Sequence, residues 1–219
     1  VSFEDKAGNS GSEVTSVTDT SSVTIDLTAP TLTSVSISSN NTADTSLANA
    51  GDMITVTFAA SEAVAPLPTV LIAGHTAVVT SMGGLSYAAT LVVADSGVSE
   101  GVAGVAISFS DLAGNVGGSS PALVTDGSSV TIDLTAPTLS SVSIASNSSV
   151  LSSLAKEGDV ITLSIQATQE DIRAVVVSIG GHAADVTQVT VGDLRSYVAR
   201  YTVVSTTADG EAAVVIDFE

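Results

Sequence analysis

The sequence predicts an all-β protein built from tandem antiparallel β-sandwiches, about seven strands in each. Three observations carry that prediction. The chain is 44% hydrophobic but only 3% aromatic, with no Trp; Val, Ile and Thr, which favour strands, make up much of it. Short runs alternate apolar and polar residues, and no stretch holds the apolar spacing of a long amphipathic helix. Finally, one string, SSVTIDLTAPTL, occurs twice, at Ser21–Leu32 and at Ser128–Leu139.

The repeat has a period of one small domain. Asp26 and Asp133, Pro30 and Pro137, Asp52 and Asp159, and His75 and His182 each stand 107 positions apart. About 100 residues is the size of one sandwich. Asn9 and Asn115 are 106 apart and Tyr87 and Tyr197 are 110 apart, which puts short insertions near Gly11 and near Gly192, in expected loops.

Seven strands are expected between the two copies of the string. The first spans about 31–39. The second is Met53–Ala60, with Ile54, Val56 and Phe58 inward. The third is Thr69–Ala73, followed by the turn Gly74-His75 and a short fourth at Ala77–Ser81. Leu85–Val93 is the fifth, Gly104–Phe109 the sixth and Ser129–Leu134 the seventh. The second repeat carries matching patterns, among them Val142/Ile144, Ile161/Leu163/Ile165 and Val214/Ile216/Phe218. Turn signals between short alternating runs are the mark of an antiparallel sandwich.

The string itself reads as a strand, a hinge and a new strand. Ala29-Pro30 and Ala136-Pro137 break the ladder, because proline has no N–H to donate and pushes its predecessor toward an extended shape. The expected domains are residues 1–29, the end of a preceding repeat; 30–136, a complete repeat; and 137–219, a repeat without its last strand. The opening VSFEDKAGN matches ISFSDLAGN at Ile107–Asn115, and the closing VIDFE returns to the same phase. This is the pattern of a window on a longer array.

Charge and composition exclude several classes. Five Lys+Arg face 23 Asp+Glu, a formal net charge of −18. Such a chain repels phosphate backbones and anionic lipid, so neither nucleic acid nor a membrane surface is an expected partner. No apolar run is long enough to span a bilayer as a helix. Cysteine is absent, so zinc-thiolate, disulfide and thiol chemistry fall away. Val1 stands in mid-pattern, so the lack of a signal peptide carries no information. No G-x-S-x-G elbow, phosphate loop or paired-carboxylate cleft is present, and the chain is read as non-enzymatic.

Three motifs give a resemblance. The TIDLTAPT junction, the ASE after the second strand and the DLAGN between the last two strands resemble bacterial-type immunoglobulin-like repeats of large secreted adhesins and other repetitive surface proteins. The resemblance spans the whole chain. It implies an immunoglobulin-like sandwich without the paired Cys and core Trp of antibody domains. It also implies an extracellular or cell-surface location, an extended stalk, and dependence on calcium.

The strand plan places the acidic residues at the junctions. Loops after the second and sixth strands share the pole where a domain begins. Asp26, Glu62, Asp111 and Asn115 therefore gather at the first junction. At the second, Asp133 could be joined by Asp52 of the same domain and by Glu170 or Asp171 of the next, although Gln169 stands in the register of Glu62. Calcium takes six to eight hard oxygen ligands in irregular geometry, and carboxylates with an amide suit it. The competing reading is local: Asp and Asn with Gly in DLAGN, and Gly51-Asp52 and Gly158-Asp159, are what tight turns use.

Other features are weaker. His75 and His182 occupy the same turn, each without a second His nearby, and read as hairpin residues rather than a metal site. Asn40 and Asn147 begin glycosylation acceptor patterns 107 apart, or are simply loop residues. Three functional readings follow. The first is a structural stalk or filament segment whose partners are its neighbouring repeats, with calcium stiffening its junctions. The second is a subunit joined to identical chains, Ser21–Leu27 completing a neighbour's sheet. The third is a glycan- or surface-binding module, disfavoured by the scarcity of Trp and Tyr.

Overall fold

The computed structural model of the protein describes residues 3–94, 97–119, 124–168, 172, 174–191 and 194–218. Gly192, where one insertion was expected, lies outside them. The chain divides into two units, Val1–Leu134 and Thr135–Glu219. The leading residues thus cluster with the first repeat. The protein is all-β, and no helix occurs among the described residues.

In the first unit the strands are β1 (Leu32–Ser39), β2 (Leu47–Ala48), β3 (Met53–Ala60), β4 (Thr69–Ile72), β5 (His75–Thr76), β6 (Val78–Gly83), β7 (Ser86–Val92), β8 (Gly101–Val102), β9 (Val105–Ser110), β10 (Val116–Ser119) and β11 (Thr131–Ile132). One sheet has the order β1-β3-β7-β6 and the other β10-β9-β4-β5. Alternation in sequence becomes alternation in burial. Ile54, Val56, Phe58 and Ala60 of β3 are buried, while the residues between them are exposed or half-buried. Val105, Ile107 and Phe109 of β9 do the same for the second sheet, and the inward residues of both sheets form one core. Each buried Val, Ile or Phe contributes roughly 1.5–3 kcal/mol of apolar transfer. Register places Phe58 opposite Tyr87, and their rings stack with centroids 5.4 Å apart.

The seventh strand differs from expectation. Ser129–Leu134 does not line the edge of the sandwich beside β9. That place belongs to β10, paired antiparallel with β9 from Val116↔Ser110 to Ser119↔Ile107. The DLAGN turn is tight enough to send the chain straight back along β9. Gly117 and Gly118 disguise this strand, since glycine pairs usually mark a loop. Here they are required by space. A Cβ on Gly117 would stand 2.1 Å from the Pro30 carbonyl oxygen, and one on Gly118 would stand 2.5 Å from the Ile107 carbonyl oxygen. β11 instead joins a third, small sheet, β2-β11-β8, parallel to β2 and antiparallel to β8. Val130 and Ile132 are carried into the core by it.

The second unit has β12 (Leu139–Ser146), β13 (Val160–Ala167), β14 (Val176–Ile179), β15 (His182–Ala183), β16 (Asp185–Val191), β17 (Leu194–Thr202) and β18 (Val214–Asp217). Its sheets run β12-β13-β17-β16 and β15-β14-β18. The order and register repeat the first unit: Val142↔Ile165 and Ile144↔Leu163 match Val35↔Phe58 and Ile37↔Val56. Ile161, Leu163, Ile165, Val177, Ile179, Tyr197 and Ala199 form its core.

Candidate cation site

The site is built on the turn Asp111–Asn115 between β9 and β10. Asp111 accepts from the Asn115 main-chain N–H at 2.8 Å and from the Asn115 side-chain amide at 2.7 Å. The Asp111 N–H donates in turn to the Asn115 carbonyl at 3.1 Å. Asp111 also bridges Val64, in the loop after β3. Such a turn is a property of the local sequence. Its relative at Asp5–Asn9 adopts the same bonds, at 2.9 Å from the Asn9 N–H and 2.8 Å from its side chain.

What distinguishes the Asp111 turn is its company. The Asn115 amide also donates to the Asp26 carbonyl at 3.1 Å and so holds the leading segment. The Asp26 carboxylate caps the Thr28 N–H at 3.0 Å. Glu62 arrives from the loop after β3. Sequence reasoning gave Ser61 no role, yet it fixes this loop. Its N–H donates to the Thr31 carbonyl at 2.8 Å and its hydroxyl accepts from the Thr31 N–H at 3.0 Å. The only hint was its position beside Glu62. Thr168, one period later, repeats the main-chain bond, its N–H donating to the Thr138 carbonyl at 2.9 Å, while its hydroxyl donates to that same carbonyl at 3.0 Å.

Carboxylate oxygens of Asp26, Glu62 and Asp111 lie within 4.8 Å of one another, with Asp111 buried and the other two half-buried. Oxygens bound to one calcium at 2.3–2.6 Å stand at most about 5 Å apart, so the spacing suits a shared ion. The electrostatics are those of crowded like charges. Burial, then the negative charges of Asp26 and Asp111, hold the Glu62 carboxyl above its ordinary value. Burial pushes the Asp111 carboxyl up as well. Hydrogen bonds from the Asn115 side chain and from the Asn115, Gly114 and Ala113 main chain outweigh that and leave it below the usual range. A cation between the three would relieve the strain on Glu62 without disturbing the turn.

The second set of sequence candidates is not gathered in this way among the described residues. The Asp52 carboxylate serves its own turn, accepting from the Asn41 amide at 2.7 Å and the Asn49 N–H at 2.8 Å. Asp159 does likewise with the Lys156 N–H at 2.9 Å. Asp133 follows β11 and donates its N–H to the Ala48 carbonyl at 3.0 Å. Glu170 and Asp171, with Gln169, lie outside the described residues.

The remaining candidates have structural partners. His75 and His182 sit in equivalent two-residue strands opposite Ile72 and Ile179, and His182 stacks on Tyr201 at 5.1 Å. Asn40 and Asn147 are exposed, but their side-chain carbonyls accept from the Met53 and Val160 N–H groups, both at 2.7 Å. That shared role closes the loop after the first strand of each unit and is reason enough for their recurrence. Compared with models of known protein families and with curated proteins, the chain matches none.

Proposed function

We propose that this chain is a structural, non-catalytic segment of an extracellular tandem array of immunoglobulin-like sandwiches. It would serve as a stalk or filament in adhesion or surface assembly, with its neighbouring repeats as partners. The observation that carries the reading is one plan recurring at a 107-residue period: β12-β13-β17-β16 repeats β1-β3-β7-β6, and β15-β14-β18 repeats β5-β4-β9 without a counterpart of β10 among the described residues. The orders β1-β3-β7-β6 and β10-β9-β4 follow the A-B-E-D and G-F-C sheets of an immunoglobulin domain. Repetition of a rigid bead with a short proline-stopped connection favours a load-bearing role over a catalytic one.

Calcium is the cation we assign to Asp26, Glu62 and Asp111. Three carboxylates from three separate segments are hard oxygen donors. Bound there, an ion would fasten the segment that precedes Pro30 to the pole of the sandwich that follows it. The mechanism is mechanical: the ion sets how freely one bead swings on the next. Small-angle scattering on a chain of three repeats tests the proposal. An elongated particle that grows more flexible when calcium is chelated is expected; compact particles indifferent to the chelator would sink it.

A further inference from the structure

The segment that ends the first unit lies against the strand that begins it. β1 follows Pro30, and Val124–Leu134 closes the unit. The Thr125 N–H donates to the Val35 carbonyl at 2.9 Å. The Val35 N–H donates to the Thr125 hydroxyl at 3.0 Å, and that hydroxyl donates back to the Val35 carbonyl at 3.2 Å. The Ile37 N–H donates to the Ser128 hydroxyl at 2.9 Å. Further along, the Thr131 and Asp133 N–H groups donate to the Ser46 and Ala48 carbonyls at 2.8 and 3.0 Å. Partner numbers rise together, so the closing segment runs parallel to β1 and then to β2. The ladder of β11 on β2, Thr131↔Leu47 and Ile132↔Ala48, has the same sense.

Both sides of this seam are backed. β1 is held by β3 through an antiparallel ladder from Leu32↔Ala60 to Ser39↔Ile54, and Thr31 before it is pinned to Ser61. The closing segment is held by β8 and by the Ala103 N–H, which donates to the Val130 carbonyl at 2.8 Å. At its end the Leu134 N–H donates to the Glu100 carboxylate at 2.9 Å. Val35, Ile37, Val130 and Ile132 are all buried, so these bonds cover a dry core, where a hydrogen bond is electrostatically stronger than in water. Tension along the chain enters the unit at Pro30 and leaves it at Leu134. It pulls β1 and the closing segment in opposite senses along their own length. Bonds of a parallel ladder are evenly spaced along the strands, so they share that load instead of failing one at a time. A last strand beside β9, the place expected from sequence, would share no bonds with β1.

We propose that Val124–Leu134, locked along β1 and β2, is a shear clamp that sets the force at which the first unit opens. Thr125 and Ser128 are its positioning residues, because their hydroxyls bond the main chain of β1 where the closing segment has not yet entered a regular ladder. The clamp's use rests on the load-bearing reading proposed above, but the clamp itself needs neither calcium nor a particular location. The two can fail separately: scattering reports the shape of an array, and force reports the clamp.

Single-molecule stretching of the whole chain in chelator, held at its two termini, tests it. Opening of the first unit is recognised by the length it frees, on the order of 35 nm for about 100 residues at roughly 3.3–3.6 Å each. T125V/S128A removes the hydroxyl bonds and keeps the apolar cover. At a fixed force it should open roughly tenfold faster than the parent, since each lost bond that breaks at the barrier multiplies the rate several-fold. I107V, in β9 and away from the clamp, should lower the denaturant midpoint without changing that rate, because forced opening reads the barrier and not the equilibrium. The chain has no cysteine, so attachment points can be chosen. Pulled between the exposed positions of A50C/A136C, the same bonds are met one at a time from Asp133 backward and should part at a several-fold lower force. That comparison leaves the core and the clamp residues intact, and it decides the matter if T125V/S128A does not fold. A T125V/S128A chain that opens at the parent's rate overturns the proposal. So does equal acceleration by I107V, or an opening force in A50C/A136C equal to that between the termini.

Discussion

The side-chain amide of Asn115 donates to the main-chain carbonyl of Asp26 at 3.1 Å, across 89 positions of sequence. This bond joins the segment that enters the first sandwich to the hairpin at the sandwich's pole. The same amide holds the Asp111 carboxylate, so one residue both shapes the turn and ties down the main chain of Asp26, which carries a second carboxylate. N115A should leave the sandwich folded, since the two part-buried hydrogen bonds lost contribute about 0.5–1.5 kcal/mol each. It should weaken calcium binding by roughly tenfold through loss of positioning, on the scale of lost outer-shell contacts at metal sites. Titration calorimetry of the variant checks this; unchanged affinity would show that Asn115 does not place the carboxylates.

Glu62 should behave as a charge held in the wrong place until a cation arrives. Its carboxyl is held above its ordinary value by burial and by Asp26 and Asp111. Ionising it therefore costs folding stability, and the loss develops as pH rises from its unfolded value through its raised folded one. Asp111 has the opposite sign. It is held low, so its contribution is present above the unfolded value and lost as pH falls through the folded one. In chelator, E62Q should melt above the parent at about pH 7, and the difference should shrink as pH falls toward the ordinary carboxyl range, where Glu62 takes up its proton. Added calcium should reverse the order, stabilising the parent by about 2.7 kcal/mol at a hundredfold excess over Kd and E62Q much less. Thermal melts across that pH range, with and without calcium, decide it.

Identical letters should give unequal effects. Ile132 is fully buried in the first unit, while Ile25, in the same string, is exposed. I132A should cost about 2–5 kcal/mol through lost burial and a cavity. I25A should stay within about 0.5 kcal/mol of the parent. Denaturant unfolding of the two variants measures the difference. Equal costs would place Ile25 in a core that the structure does not give it.

Gly117 gives a sharper test of the strand that sequence reading missed. Its Cβ would meet the Pro30 carbonyl at 2.1 Å and the Phe109 ring at 2.8 Å. G117A should destabilise the first unit by about 1–3 kcal/mol, the cost of overpacking a tight site. A neutral substitution would mean that β10 does not pack against Pro30.

These residues also show where sequence was readable and where it was not. The alternation Ile54, Val56, Phe58 gave β3 its bounds, because burial on one face leaves a period of two in the letters. The gathering of Asp26, Glu62 and Asp111 followed from strand order alone, since loops of alternate strands share a pole. β10 was not legible: close approach of Pro30 demands glycine, and glycine reads as a turn. β11 was misplaced because alternation in Val130, Thr131 and Ile132 reports burial but not which strand is the neighbour. β2 and β8, at two residues each, are too short to leave any period.

The cation-held joint is most directly tested by amide hydrogen exchange on the whole chain, in calcium and in chelator. Calcium should slow exchange at Thr28, whose N–H is bonded to the Asp26 carboxylate, and at Asn115, bonded to Asp111. The strands of the second unit should stay unchanged. Exchange at Thr28 and Asn115 that is the same in both conditions would contradict a calcium ion at Asp26, Glu62 and Asp111.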